Sequence, residues 1–130
     1  MKISDLMSRR VHVAGPDLDA ETAWRCMQRL HVRHLVVVNA QEQVIGLLSE
    51  RDLDGPHGAH LRQSRKVSDM MEPDPHVLDP EVDLLQAAEQ LRGLAAGCFP
   101  VVSGPALVGI VTTSDLLDAL AQAAPYGGAP

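Results

Sequence analysis

Hydrophobic and polar positions along the chain follow two periods, and the same sequence of periods occurs twice. Ala20, Ala23, Trp24, Met27 and Leu30 keep the i, i+3, i+4, i+7 spacing of a one-sided helix, predicted over about 20–31. Pro16-Asp17-Leu18-Asp19 supplies breaking and capping signals just before it. Leu35–Val38 is a short β-branched run bounded by polar residues, as a buried strand should be. Gln43–Leu48 predicts a second strand, and the turn Asn39–Glu42 joins the two into a hairpin. A helical turn at 3–7 and a brief strand around Val11–Val13 come first; a helix from Ser49 is stopped by Asp54-Gly55-Pro56. The second series has a strand near His76–Leu78, a helix at 83–94 and a hairpin at 99–111. Its last helix starts near Thr113 and runs through Leu116, Leu117, Leu120 and Ala121. The predicted fold class is α+β: tandem β-α-β-β-α repeats packed as a pseudo-twofold pair.

The duplication is literal as well as periodic. Ile3-Ser4-Asp5-Leu6-Met7 returns as Val67-Ser68-Asp69-Met70-Met71, and Gly46-Leu47-Leu48-Ser49-Glu50-Arg51-Asp52-Leu53 as Gly109-Ile110-Val111-Thr112-Thr113-Ser114-Asp115-Leu116. His12-Val13 matches His76-Val77, Pro16 matches Pro80, Asp19 matches Asp83, Ala23 matches Ala87 and Val37-Val38 matches Val101-Val102. A repeat of this length is one supersecondary unit that buries its apolar face against a neighbour. The expected organisation is repeat 1 over 1–53, a linker over 54–65, repeat 2 over 66–122 and a flexible tail over 123–130.

Composition narrows the class. Apolar residues make up 45% of the 130, but there is only one each of Trp, Tyr and Phe, so the core must be aliphatic. No apolar run approaches the roughly 18–20 residues that span a bilayer, and Met1-Lys2-Ile3-Ser4-Asp5 does not resemble a secretory signal. Cys26 and Cys98 lack metal-type spacing and fit a reducing, cytoplasmic setting, although two cysteines could also form one bridge. Residues 1–66 carry a net charge of +2 and residues 67–130 a net charge of −8. With neither a basic stripe nor stacking aromatics, the chain does not fit a nucleic-acid binder; a small anion could still be held by the basic first half.

Chemistry concentrates in Ser49-x-x-Asp52 and Thr112-x-x-Asp115. As a structural device each is a capping box, with the hydroxyl accepting a backbone N–H and the acid placed in the first turn. As a ligand device, a carboxylate can accept from both vicinal hydroxyls of a ribose, and the neighbouring helix N-terminus favours a phosphate. The two roles are compatible. Arg33 and His34 precede the core strand and Arg51 lies inside the first motif, positions that suit solvated surface residues. Their counterparts are Gly97, Cys98 and Ser114, none of them cationic, although Ser114 offers a hydroxyl. His57-x-x-His60 is incomplete as a zinc site. No Ser-His-Asp, Cys-His or paired-carboxylate arrangement suggests catalysis, so no catalytic or metal-binding residue is expected.

The order of elements resembles the cystathionine-β-synthase (CBS) domain, two of which form a Bateman module. The resemblance runs from Ile3 to about Leu120. It rests on the opening Ser-Asp-Met pattern, on Val32-Arg33-His34-Leu35-Val36-Val37-Val38, and on Gly-x-x-Ser/Thr-x-x-Asp-Leu in both halves. Phe99-Pro100-Val101-Val102 keeps a proline often found in the family, where the first half has Val36. The resemblance implies that Asp52 and Asp115 grip a ribose with Ser49 and Thr112 beside them, and that Arg33, His34 and Arg51 face the phosphate. It also implies base pockets at Val13 and Ala14 and at Val77 and Leu78, positions that serve equally well as simple core strand.

The implied function is a non-enzymatic regulatory module. It binds AMP first, ADP or ATP next, in the cleft between repeats and modulates a separate effector protein, with no cofactor required. S-adenosylmethionine, NAD and cyclic dinucleotides are further family ligands. A homodimer is expected through the exposed part of the helical faces around Trp24 and Leu116–Leu120, with the first site, centred on Asp52, the stronger for an anion. The alternatives are a structural dimerisation module with empty clefts, and a metal or redox sensor using Cys26, Cys98 or the linker histidines.

Overall fold

The computed structural model describes residues 1–123; the tail proposed for 123–130 falls, but for the backbone of Ala123, outside the described residues. The main helices and hairpins appear in the predicted order, but the helix expected from Ser49 is only a turn, and a short helix at Ala59–Arg62 and a strand at Glu72–Pro73 were not foreseen. The elements are α1 (Ile3–Leu6), β1 (Val13–Ala14), α2 (Ala20–Leu30), β2 (His34–Val38), β3 (Val44–Ser49), α3 (Ala59–Arg62), α4 (Val67–Met70), β4 (Glu72–Pro73), α5 (Leu84–Leu91), β5 (Cys98–Ser103), β6 (Ala106–Thr112) and α6 (Thr113–Ala123).

Two compact units result, and they cut across the two sequence copies. One comprises Val11–Pro75; the other joins Met1–Arg10 to the chain from His76 onward. The opening segment of each copy thus folds into the unit built by the other. Val67 N–H donates to Leu18 C=O and Ser68 N–H to Pro16 C=O, while Ile3 N–H donates to Val82 C=O and Ser4 N–H to Pro80 C=O. Each of the four bonds is 2.8–2.9 Å, and the repeated Pro16 and Pro80 each supply a carbonyl to an incoming helix start. Val67 and Ile3 are completely buried in their respective cores. Burying such a side chain contributes roughly 1.5–3 kcal/mol.

In the Val11–Pro75 unit a four-stranded sheet runs β1-β2-β3-β4. β1 pairs parallel with β2, β2 antiparallel with β3, and β3 antiparallel with β4 at Gly46–Pro73 and Leu47–Glu72. The other unit has the antiparallel pair β5-β6, flanked by single-residue bridges from Leu78 to Val101 and from Ser8 to Ile110. The strand predicted at 76–78 therefore shrinks to one bridging residue. Both hairpins shift register at the same place, between Val37 and Val38 and between Val101 and Val102.

Helix ends and faces follow local chemistry. Asp19 caps α2 by accepting the Thr22 N–H, and Asp83 caps α5 by accepting the Leu85 N–H. Ala20, Ala23, Trp24 and Met27 face the core as predicted, but Leu30 is 42% exposed. His31 adopts a left-handed conformation (φ 56°) that ends the helix beside it. α5 stops at Leu91, short of the predicted 94, because Arg92 is extended and Gly93 turns left-handed (φ 83°). Trp24 itself is buried under the Arg62 guanidinium, 4.5 Å from its ring centroid, and Leu116 is buried too, so neither side chain belongs to the exposed part of its helical face. On α6 only Leu117 is a large side chain fully turned to solvent. The connecting stretch 54–65 is itself folded, with a 3-10 turn at Gly55–His57 followed by α3.

The repeated glycine and the repeated methionine form one device. A Cβ on Gly46 would collide with Met71 Sδ, and one on Gly109 would lie 2.6 Å from Met7 Sδ and 3.0 Å from Ser8 C=O. Gly46→Ala and Gly109→Ala should each destabilise the protein by about 1–3 kcal/mol through overpacking. In urea-unfolding double-mutant cycles, Gly46→Ala should couple with Met71→Ala and Gly109→Ala with Met7→Ala. Coupling of Gly46→Ala with Met7→Ala instead would refute the exchanged packing.

Candidate functional site

Each unit presents the same constellation at the end of its hairpin. In the Val11–Pro75 unit, His34 opens β2 directly opposite Ser49, the last residue of β3. Ser49 N–H donates to Asp52 Oδ2 (2.9 Å) and Asp52 N–H donates to Ser49 Oγ (3.0 Å). Cys98 likewise opens β5 opposite Thr112; there Thr112 N–H donates to Asp115 Oδ2 and Asp115 N–H to Thr112 Oγ1, both at 3.1 Å. Both motifs are therefore reciprocal capping boxes. The mouth of each hairpin is closed by one more bond, Glu50 N–H to Arg33 C=O and Thr113 N–H to Gly97 C=O, each 2.9 Å.

The boxes use one carboxylate oxygen each. Among the described residues no donor is bonded to Oδ1 of Asp52 or Asp115, and both side chains are half-buried. An acceptor fixed by its own helix turn and open on one side suits a diol or another paired donor. The structural role of the motif thus leaves one carboxylate oxygen of each aspartate without a hydrogen bond among the described residues.

The first strand supplies an apolar surface. Val13 is 51% exposed and Val77 is 40% exposed, unusual for β-branched residues at strand starts, whereas Ala14 and Leu78 point into the cores. Leu78 commits both peptide groups to β5, its N–H to Pro100 C=O and its C=O to Val102 N–H. Because strand residues alternate the direction of their peptide groups, those of Val77 face the open edge. Val13 occupies the same position on β1, an edge strand of its sheet. Of the four residues expected at a base pocket, Val13 and Val77 have free apolar side chains, and Ala14 and Leu78 belong to the core.

Charge is arranged differently from the sequence expectation. The exchanged segments carry Lys2, Arg9 and Arg10 into the unit of the second copy, and Asp69, Glu72 and Asp74 into that of the first. Each unit consequently has a net charge of −3, so the asymmetry of the sequence halves disappears. What differs locally is Arg33 and Arg51 against Gly97 and Ser114. Arg33 is highly exposed and lies 3.8 Å from Glu50, a loose surface pair worth little in water. Arg51 and Ser114 are exposed.

His34 and Cys98, at equivalent positions, are both shifted toward their neutral forms. Burial lowers the His34 pKa from 6.5, opposed by the carboxylate of Asp52 and reinforced by Arg33. The lowered pKa favours the neutral imidazole of His34, which can offer one ring N–H as a hydrogen-bond donor. Cys98 is pushed up to about 12, chiefly by burial and secondarily by Asp115. Both cysteines are free thiols, and among the described residues no group of three or more His, Cys, Asp or Glu could hold a metal ion. No helix among those residues is long and apolar enough to cross a membrane.

Sequence reasoning missed Arg62, completely enclosed just beyond the first motif, and the Arg33–Glu50 pair. A lone arginine between Gly58 and Ser64 was the available signal for the former; nothing in the pattern marks the latter.

Two α+β units carrying matched Ser/Thr-x-x-Asp boxes define the class as a tandem pair of related units. The chain belongs to the CBS domain family, whose profile matches residues 3–54 and 67–122. A CBS domain-containing protein of Dictyostelium discoideum is 28% identical over 91% of this chain and 90% of its own. The CBS-pair protein CBSX2 from Arabidopsis thaliana is 26% identical with a TM-score of 0.78, covering 93% of this chain and 94% of that one. CBSX2 has also been solved in complex with AMP. A CBS-domain containing protein from Agrobacterium tumefaciens is 27% identical with a TM-score of 0.77, covering 91% and 92%.

Keeping His34 neutral contributes stability above pH 6.5, which is lost as pH falls through its lowered folded-state pKa. His34→Gln should remove part of the decline in urea midpoint between pH 7.5 and 5; an unchanged decline would assign acid sensitivity elsewhere. Thiol titration of the native protein should modify Cys26, which is half-buried, at least about tenfold faster than Cys98, with both reacting in urea.

Proposed function

We propose that the protein is a regulatory ligand-sensing module that binds an adenine nucleotide, AMP first and ADP or ATP next, and modulates a separate partner protein. The observation that carries this is the doubled capping box: each fixes an aspartate with one open carboxylate oxygen. Val13 and Val77 add exposed apolar faces suited to a base. The AMP complex of CBSX2 supports the choice of ligand. The site residues are Ser49, Asp52, Arg51, Arg33, His34, Val13 and Ala14 in one unit, and Thr112, Ser114, Asp115, Val77 and Leu78 in the other. Asp52 and Asp115 accept from the ribose, Ser49 and Thr112 hold them in place, and Arg33 and Arg51 attract the phosphate.

The site of Asp52 is the stronger of the two, because cations stand near it and none stands at the matching positions beside Asp115. The loose Arg33–Glu50 pair rearranges at little cost to meet a phosphate. Regulation is by linkage: a ligand that prefers one conformation or assembly shifts its population, and the partner responds to the shifted state. Leu117 at 60% exposure and Leu85 at 67% supply apolar surface for a homodimer.

Calorimetric titration with AMP should give saturable binding. At a hundredfold excess over its Kd, the ligand should stabilise the protein by about 2.7 kcal/mol. Asp52→Asn keeps a carbonyl for the Ser49 N–H but loses the charged acceptor, and should weaken the stronger phase about tenfold or more. Asp115→Asn should affect only the weaker phase. If neither substitution changes the isotherm, the site assignment is wrong.

A further inference from the structure

Arg62 lies in the connecting stretch and is 2% exposed. Its Nη1 donates to Leu53 C=O (2.7 Å) and to Gly55 C=O (2.6 Å), its Nε donates to Glu21 Oε1 (2.8 Å), and its guanidinium lies over Trp24. A buried arginine is costly unless every such contact is made. What it contacts is the key point. Leu53 and Gly55 end the turn that begins with Ser49 and contains Asp52, for Leu53 N–H donates to Ser49 C=O and Gly55 N–H to Glu50 C=O.

The two copies differ here. Thr112-x-x-Asp115 opens α6, an 11-residue helix whose later turns donate the N–H groups that its first-turn carbonyls accept. Ser49-x-x-Asp52 opens a single turn that stops at Asp54 and Gly55, both left-handed (φ 63° and 57°). An isolated turn has a costly nucleus and leaves its last carbonyls without partners. Arg62 satisfies two carbonyls at the end of that turn, and does so with a charged donor. Gly58 is needed for the fit, because a Cβ there would collide with Leu53 C=O and lie 2.8 Å from Arg62 Nη1.

We propose that Arg62 is a positioning residue for the Asp52 site: it replaces the missing helix, holds the capping box in register, and ties it to Glu21 and Trp24 on α2. It touches no ligand itself. The proposal rests on the nucleotide function above, and extends it by making the connecting stretch sensitive to occupancy of one site and not the other. Trp24, the only tryptophan, becomes the intrinsic reporter.

The test uses the full chain with Arg62→Met and the milder Arg62→Lys, which keeps the charge but loses the planar fork. Amide hydrogen exchange is read without ligand at Ser49 and Asp52, with Thr112 and Asp115 as internal controls. Arg62→Met should accelerate exchange at Ser49 and Asp52 about tenfold, the loss of a charge-assisted hydrogen bond, with Arg62→Lys between it and the parent. The controls should stay within twofold. AMP titrations in an Asp115→Asn background should then show an about tenfold weaker Asp52 site in Arg62→Met, and an AMP-dependent change in Trp24 fluorescence in the parent. In an Asp52→Asn background, Arg62→Met should leave AMP binding at the other site within twofold. Unchanged exchange at Ser49 and Asp52 overturns the proposal, as does equal acceleration at all four amides, which would mark a general loss of stability. Should Arg62→Met not fold, the same comparison is decided on Arg62→Lys. Unchanged AMP affinity with accelerated exchange also overturns it. Selective acceleration in a chain that binds no AMP would instead refute the nucleotide function and uphold the mechanical role of Arg62.

Discussion

The close approach of a methionine-bearing segment to a glycine in the edge of each hairpin is the constraint on which the structure depends. Gly46 admits Met71 and Gly109 admits Met7, and no larger residue could do so without displacing sulfur and backbone. This contact brings β4 and the Ser8 bridge against their hairpins. It lies three residues before Ser49 and Thr112, on the strand that ends in the capping box. The repeated glycine is therefore a packing residue first, and its place in the Gly-x-x-Ser/Thr-x-x-Asp motif follows from setting the strand that delivers the hydroxyl and carboxylate.

Once the hairpins are set, the chemistry depends on how each box is supported. One is the first turn of α6; the other is a lone turn capped by a buried guanidinium. Equivalent positions beside them carry His34 and Cys98, which burial keeps neutral by opposite shifts of pKa. Arg33 and Arg51 flank the first box, and the equivalent positions beside the second, Gly97 and Ser114, carry no cation. The two repeated boxes thus share a capping carboxylate and differ in support, in the neighbouring side chain and in the charge at equivalent positions.

Most elements were legible in the pattern, because they arise from local rules: helical spacing from Ala20 to Met27, β-branched runs in the hairpins, and Asp19 and Asp83 before their helices. The misjudged ends have local causes of another kind. His31 and Gly93 adopt left-handed conformations that hydrophobic spacing does not encode, and Leu30 continues the period beyond the surface it could bury. The capping boxes were legible as pairs of residues three apart, and their hydrogen bonds match that spacing. Arg62 was not legible, since its partners are carbonyls and a ring whose proximity depends on the path of the connecting stretch.

The sequence by itself determined the duplication, the α+β order of elements and the location of the Ser/Thr-x-x-Asp motifs, because each is written in residues close together along the chain. Only the tertiary structure decided which copy's opening segment completes which unit. Burial of Ile3 and Val67 and the fit of methionine on glycine are satisfied by a partner about a hundred residues away for Met7 and 25 away for Met71, and no periodicity records that choice. The same exchange redistributed the charges, turning halves of +2 and −8 into units of −3 each. Electrostatics follows position in space, so the basic half of the sequence does not become a basic half of the protein.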